Sequence, residues 1–123
     1  MMISNLYATG VHSHELLEFI ETPTFTRHVQ QLLSDEEYLE LQRALIIDPQ
    51  QGDLIQGSGG LRKIRFALKG RGKSAGVRCI HYWYNDAGQM LMLLIYPKSM
   101  KDDLSARELS ILRKLVEELK QHG

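Results

Sequence analysis

Three eight-residue segments, LRKIRFAL (61–68), VRCIHYWY (77–84) and QMLMLLIY (89–96), follow one another with only turn-like stretches between them. No other feature constrains the fold as strongly. Each segment is rich in β-branched, aromatic and aliphatic residues, and the connections carry the glycines and the Asn-Asp-Ala-Gly sequence that turns favour. They predict an antiparallel meander.

Helical signals flank the meander on both sides. Thr22-Pro23 reads as an N-cap followed by proline at the first helical position, where the missing N–H would be orphaned anyway. Phe25, Val29, Leu32 and Leu33 then give one apolar helix face. Ser34-x-x-Glu37 and Ser105-x-x-Glu108 are two capping boxes, the first with three acids where the helix dipole favours them and with Asp48-Pro49 as its stop. Leu109, Leu112, Leu115, Val116 and Leu119 make the apolar stripe of the last helix. Upstream, ELLEFIE reads as a first strand.

The expected order is therefore β-α-α-β-β-β-α. This is an α+β chain, a small antiparallel-rich sheet with one face packed by helices and the other open to water. Residues 1–14 show no sustained period and read as a loose extension, leaving 15–123 as one domain, in line with a length of 123 residues. The longest apolar run is far too short to span a bilayer, so no membrane association and a cytoplasmic location are expected.

The balance of 15 Lys/Arg against 15 Asp/Glu conceals a segregation. Residues 1–53 hold two cations and nine acids, whereas residues 54–101 hold nine cations and one acid. Between Asp53 and Asp86 stand Arg62, Lys63, Arg65, Lys69, Arg71, Lys73 and Arg78 without a single carboxylate. Such a block needs a counter-charge, supplied either by the chain's own acidic helices or by an anionic partner.

One stretch, FALKGRGKSAGVR (66–78), fits a relaxed phosphate-binding-loop pattern. Both flanks speak against a nucleotide cradle, which needs a buried parallel strand before the loop and a helix directly after it. Here the preceding strand alternates and carries three cations, and the following segment is β-prone. A polynucleotide backbone suits the cations better. A period of two places Lys63 and Arg65 on one face of their strand and Ile64, Phe66 and Leu68 on the other. Arg78 on the partner strand comes beside them if the register allows, and Lys69, Arg71 and Lys73 form a basic loop at the same end. A bland alternative stays open, in which these charges only neutralise the acidic helices.

If the ligand is RNA, cleavage requires a base for the 2′-hydroxyl, positive charge on the pentacoordinate phosphate and an acid for the leaving oxygen. The absence of Asp and Glu from 54 to 85 leaves no hard oxygen ligands beside the cations, so neither metal nor cofactor is expected. Arg65 and Arg78 suit charge stabilisation, while Lys63, Lys73 and Lys98 are candidates for proton transfer. An ordinary lysine, with a pKa of about 10.4, must be lowered by about three pH units for that task, and crowded cations push in that direction.

Other residues carry weaker signals. His81 is a natural proton carrier, but alternation sets it opposite Arg78. Tyr82, Trp83 and Tyr84 read as core before they read as base-stacking groups. His12 and His14 lack further ligands at metal-site spacing, and Cys79, the lone cysteine, reads as a small core residue.

Taken together, Gly-Gly-Leu-Arg-Lys-Ile-Arg (59–65), Lys-Gly-Arg-Gly-Lys (69–73), Gly-x-Arg (76–78) and Tyr-x-Lys (96–98) followed by Asp-Leu-Ser (103–105) resemble the HigB-type branch of the RelE/ParE toxin superfamily, over roughly residues 16–120. The resemblance implies a RelE-like fold and a type II toxin–antitoxin toxin, a ribosome-dependent endonuclease that cuts mRNA in the A site. Its implied partners are the ribosome, mRNA and an antitoxin with a helix-turn-helix DNA-binding domain. By position it assigns catalytic roles to Lys63, Arg65, Arg78 and Lys98. Where such enzymes place a further arginine and then a tyrosine, this chain has Ser99 and DDLS. The general base is thus unassigned, which gives more weight to Lys69, Arg71 and Lys73 of the longer, more basic loop; Lys73 is assigned to catalysis, and Arg62, Lys69 and Arg71 to RNA contacts. Two other functions remain open, a ParE-like poison of a protein such as DNA gyrase and a plain RNA-binding module.

Overall fold

The computed structural model describes residues 3–5, 17–72, 75–84 and 88–122. In chain order these form β1 (Ile3–Asn5), β2 (Glu18–Glu21), α1 (Pro23–Leu32), α2 (Asp35–Ile47), β3 (Asp53–Leu54), β4 (Arg62–Ala67), β5 (Gly76–Tyr84), β6 (Gln89–Pro97) and α3 (Ala106–His122). The strands make one sheet in the order β1-β2-β6-β5-β4-β3, in which β2 runs parallel to β6 and every other pair is antiparallel. The α+β class and the meander are as expected. Two short strands are additional: β1 pairs with β2 at one edge, and β3 pairs with β4 at the other. At three and two residues they are too short to have a readable period. His12, His14, Lys73, Ser74 and the Asn85-Asp86-Ala87 turn lie outside the described residues.

The helix ends follow from their caps. Thr22 Oγ1 accepts the Phe25 N–H at 3.1 Å and donates to the Leu93 carbonyl at 2.8 Å, so the cap also fastens α1 to β6. Both capping boxes close: Ser34 with Glu37 at 2.8 and 3.1 Å, and Ser105 with Glu108 at 2.9 and 3.1 Å.

The sheet is covered on both faces, which corrects the expectation of one wet face. On one side α1 and α2 pack Phe25, Val29, Tyr38, Leu41 and Leu45 against Phe19, Ile64, Val77, Cys79, Met90 and Met92. On the other, α3 packs Leu112 and Val116 against Leu61, Ile80, Leu91 and Leu93. Each such side chain contributes roughly 1.5–3 kcal/mol on burial, so the α3 stripe cannot be left in water cheaply. Among the described residues no helix is long and apolar enough to cross a membrane.

A bulge sets the phase of the sheet around the cations. Ile80 stands opposite Leu94, yet the next residue, His81, stands opposite Met92, so Leu93 is the extra residue on β6. Beyond this point Tyr96 shares a face with Arg78, its register partner, instead of turning towards α1. Lys63 and Arg65 lie on that same face, because Lys63 pairs with Ile80 and Arg65 with Arg78.

Candidate functional site

Three cations from two strands converge on one short segment, residues 102–103, just ahead of α3. Lys63 Nζ directs its three donors to Asp103 Oδ1 at 2.6 Å, the Asp102 carbonyl at 3.1 Å and Asp102 Oδ2 at 3.2 Å. Arg78 Nε donates to Asp102 Oδ1 at 2.8 Å, and Arg65 Nη2 lies 3.8 Å from Asp102 Oδ2. Arg65 Nη1 is bonded to Asp53 from β3. Lys63, Arg65 and Arg78 thus face Asp53, Asp102 and Asp103, three positive groups against three negative ones.

The electrostatics follow from these contacts. The hydrogen bond from Arg78, then that from Lys63, holds the Asp102 carboxyl below its usual range. The bond from Arg65 does the same for Asp53 and raises Arg65 in turn. Tyr96, whose hydroxyl donates to the Asp102 carbonyl at 3.1 Å, is pushed up to about 12, first by burial and then by the Asp102 charge. Lys101 lies 5.0 Å from the centre of the Tyr96 ring and is paired with Glu108, closing the segment from the outside.

Lys63 does not sit on an open basic face. Only 6% of its side chain is exposed, because the 102–103 segment covers it. Its nearest charged partners are the carboxylates of Asp102 and Asp103 rather than the crowding cations expected from the sequence.

Arg65, Arg78 and Lys98 come together differently. They line one cavity of about 320 Å³, walled otherwise by Phe66, Leu68 and backbone around Gly72 and Gly76, with no carboxylate among the described residues that line it. Lys98 is set there by Gly76: the Lys98 N–H donates to the Gly76 carbonyl at 3.0 Å. A Cβ on Gly76 would come within 3.5 Å of the Lys98 stem and 3.3 Å of the Phe66 carbonyl. Arg65 also borders a second cavity of about 450 Å³, lined by Asp53, Lys63 and Asp103 with Leu54, Ile55, Leu104 and Leu109. The two cavities meet at Arg65 and differ in charge, three cations lining the first and two cations balanced by two carboxylates the second.

The remaining basic residues are dispersed. Arg62 Nη1 donates to the Gly52 carbonyl at 3.1 Å and helps hold β3. Arg71 reaches across to α2 and bonds Glu37 at 2.5 Å, so the acidic helix neutralises this cation, as the bland alternative held. Lys69 is exposed on the β4–β5 connection, and Lys73 lies outside the described residues.

His81 belongs to the core, on the face away from Arg78. It is fully buried, with Nδ1 3.3 Å from Met90 Sδ and Nε2 3.0 Å from the Gln51 carbonyl, and burial lowers its pKa to about 4. Its contact steadies the turn that delivers Asp53. Cys79 is buried as well, and burial raises its thiol pKa.

Four participants were given no role from the sequence: Asp53 and Asp102, and Asp103 and Tyr96, which stood there only as parts of the Tyr-x-Lys…Asp-Leu-Ser motif. Asp53 and Asp102 bracket the cationic block in the chain and return to it through β3 and the β6–α3 connection. The only signal for the second was the Asp-Asp pair inside the Tyr-x-Lys…Asp-Leu-Ser motif.

A comparison with protein families bears on the whole arrangement. The model of the family described as "RelE toxin of RelE / RelB toxin-antitoxin system" matches residues 19–122, all of the sheet except β1 and the start of β2, and all three helices.

Proposed function

From the premise that the chain belongs to the RelE toxin family, and is the toxin of a toxin–antitoxin system with a cognate antitoxin, we propose that it is a ribosome-dependent endoribonuclease of the HigB-type branch that cuts mRNA in the A site. The observation that carries this reading is the cavity shared by Arg65, Arg78 and Lys98, where three cations from separate segments border one space with no acid among the described residues that line it. A phosphodiester seated there meets two guanidiniums from adjacent strands, fixed donors that stabilise charge as the 2′-hydroxyl attacks and the phosphorus becomes pentacoordinate. No step calls on a metal. Lys98 and Lys73 remain the candidates for proton transfer, while Lys63 acts by holding the 102–103 segment. Lys69, exposed on the β4–β5 connection, adds positive charge for the RNA backbone, whereas Arg62, on the other face of β4, acts by holding β3. The cytoplasm, where ribosomes and message are found, is the matching location, and a helix-turn-helix antitoxin is the expected partner.

A non-enzymatic RNA-binding role has one observation in its favour: Lys63, Arg65 and Arg78 are each paired with a carboxylate, and none of them is set up as a base. The two readings separate when purified protein is added to a translating extract and mRNA ends are mapped by primer extension. Codon-phased cuts confined to translated message, lost with Arg78→Ala, are the expected result. Intact message at inhibitory protein concentrations would overturn the nuclease reading, and inhibition together with damaged gyrase activity would favour a ParE-like poison.

A further inference from the structure

Asp102 occupies an unusual position for a half-exposed acid. One of its oxygens takes the Arg78 Nε–H, and the other takes Lys63 Nζ and lies 3.8 Å from Arg65 Nη2. Two oxygens of a tetrahedral phosphodiester, bridging cations in the same way, would meet the same donors. Burial does not demand an acid here, since 51% of the side chain is exposed. The backbone of the segment is held separately: Lys63 Nζ and Tyr96 OH both donate to the Asp102 carbonyl, each at 3.1 Å. The carboxylate arm can therefore rotate into solvent while its backbone stays tethered. With the arm in place, the cluster of Lys63, Arg65, Arg78, Asp53, Asp102 and Asp103 has no net charge and little attraction for a polyanion; with the arm withdrawn it is positive on the side that faces Arg65 and Arg78.

We infer that Asp102 is a specificity-determining residue, whose carboxylate occupies the seat of an RNA phosphate on Arg65 and Arg78 and must be displaced by it. Free single-stranded RNA then competes poorly, and RNA pressed against the site by a second anchorage competes well. This rests on the reading that Arg65 and Arg78 receive an RNA phosphate.

The test is the binding of a short, uncleavable 2′-O-methyl single-stranded oligonucleotide to the full chain, followed by fluorescence anisotropy across a salt series. Asp102→Asn should tighten binding about fivefold, the scale of one partly exposed ion pair removed from competition. Asp102→Glu, which restores the charge, should return binding to within about twofold of the original, and Asp103→Asn, which touches only Lys63, should change it by less than about twofold. Tyr96→Phe loosens the segment without altering charge and should tighten binding about twofold, which keeps the inference testable if Asp102→Asn fails to melt cooperatively. Asp102→Asn binding no tighter than the original chain, or Asp103→Asn tightening it as much, would overturn the inference. Arg78→Gln distinguishes the two levels. If it abolishes oligonucleotide binding while Asp102→Asn changes nothing, only the inference falls; if it binds as the original does, the reading beneath it falls.

Discussion

Arg65 and Arg78 stand directly opposite one another on β4 and β5, and both guanidiniums approach the Asp102 carboxylate, Arg78 Nε at 2.8 Å and Arg65 Nη2 at 3.8 Å. Like charges facing each other across two strands repel, and without a shared anion the pair would weaken the sheet. Two positively charged residues kept in register at such a cost point to a task that needs both, and Asp102 makes the resting state tolerable.

That relationship separates function from stability. Arg78→Ala should reduce mRNA cleavage by about 100-fold or more, the scale of losing one fixed donor from a developing oxyanion, while lowering stability by about 1–2 kcal/mol through the lost ion pair and the packing of its largely buried stem. Arg71→Ala should do the opposite in proportion: its partner is Glu37 on α2, so cleavage should stay within about threefold while the half-exposed pair costs at most about 1 kcal/mol. Primer-extension rates beside urea melts check both, and equal losses of cleavage would count against the division.

Gly76 and Lys98 should separate in their effects. The Gly76 backbone has ordinary negative φ, so alanine is not strained there; its Cβ would lie 3.3 Å from the Phe66 carbonyl, a tight approach to backbone, and 3.5 Å from the Lys98 stem, an ordinary contact. Gly76→Ala should therefore cost about 1 kcal/mol of stability through the β4–β5 pair and leave cleavage within about threefold. Lys98→Ala should lower cleavage about tenfold, as for a lost proton-transfer group. A Gly76→Ala chain that cleaves as poorly as Lys98→Ala would show that the lysine depends on the space left by the glycine.

Lys63, expected from the sequence to take part in catalysis, has its ammonium against Asp102 and Asp103. Lys63→Met keeps the stem packed and removes the ammonium that gathers Asp102 and Asp103. Those carboxylates are largely exposed and can turn to water, so the loss should be modest, about 1–2 kcal/mol, and far below that of stranding a buried charge. Amide hydrogen exchange should rise in residues 101–104 and not in α1. Unchanged exchange there would mean that Tyr96 and the Ser105 cap suffice to hold the segment.

How much was legible follows from which signals are local. The caps at Thr22, Ser34 and Ser105, the stripe of α3 and the three long strands each declare themselves within a window of a few residues, and all appear in the structure. The pairing of Arg65 with Arg78 was legible only as far as alternation allows, because register depends on the intervening connection. Three things were not legible for physical reasons. The bulge at Leu93 is a one-residue shift with no mark in a continuous apolar run, and it decides which face Tyr96 joins. The burial of Lys63 depends on α3 crossing the second face and bringing residues 102–103 with it. Neutralisation by Asp53 and Asp102 arises because the acids that bracket the cationic block in sequence are folded back onto it, so a count of charge by segment finds separation where the fold makes contact.

The last prediction concerns acid. His81 is fully buried and kept neutral, with a folded pKa of about 4 against an ordinary value of 6.5. In the unfolded chain it takes up a proton as the pH falls through 6.5, while the folded chain refuses it until about 4, so protons favour the unfolded state in between. The stability that its neutrality confers is full above pH 6.5, and is lost progressively as the pH falls towards 4, by about 3 kcal/mol in all. Asp53 and Asp102, whose folded pKa values are lowered, begin to contribute only as the pH approaches the ordinary carboxylate range and below, so the two effects occupy largely separate windows. His81→Gln retains a donor for the Gln51 carbonyl but cannot titrate. Urea melts from pH 7.5 to 4.5 should show the original chain losing stability steadily and the glutamine variant nearly flat until the carboxylates begin to protonate. Parallel slopes for the two chains would place the acid sensitivity elsewhere than in His81.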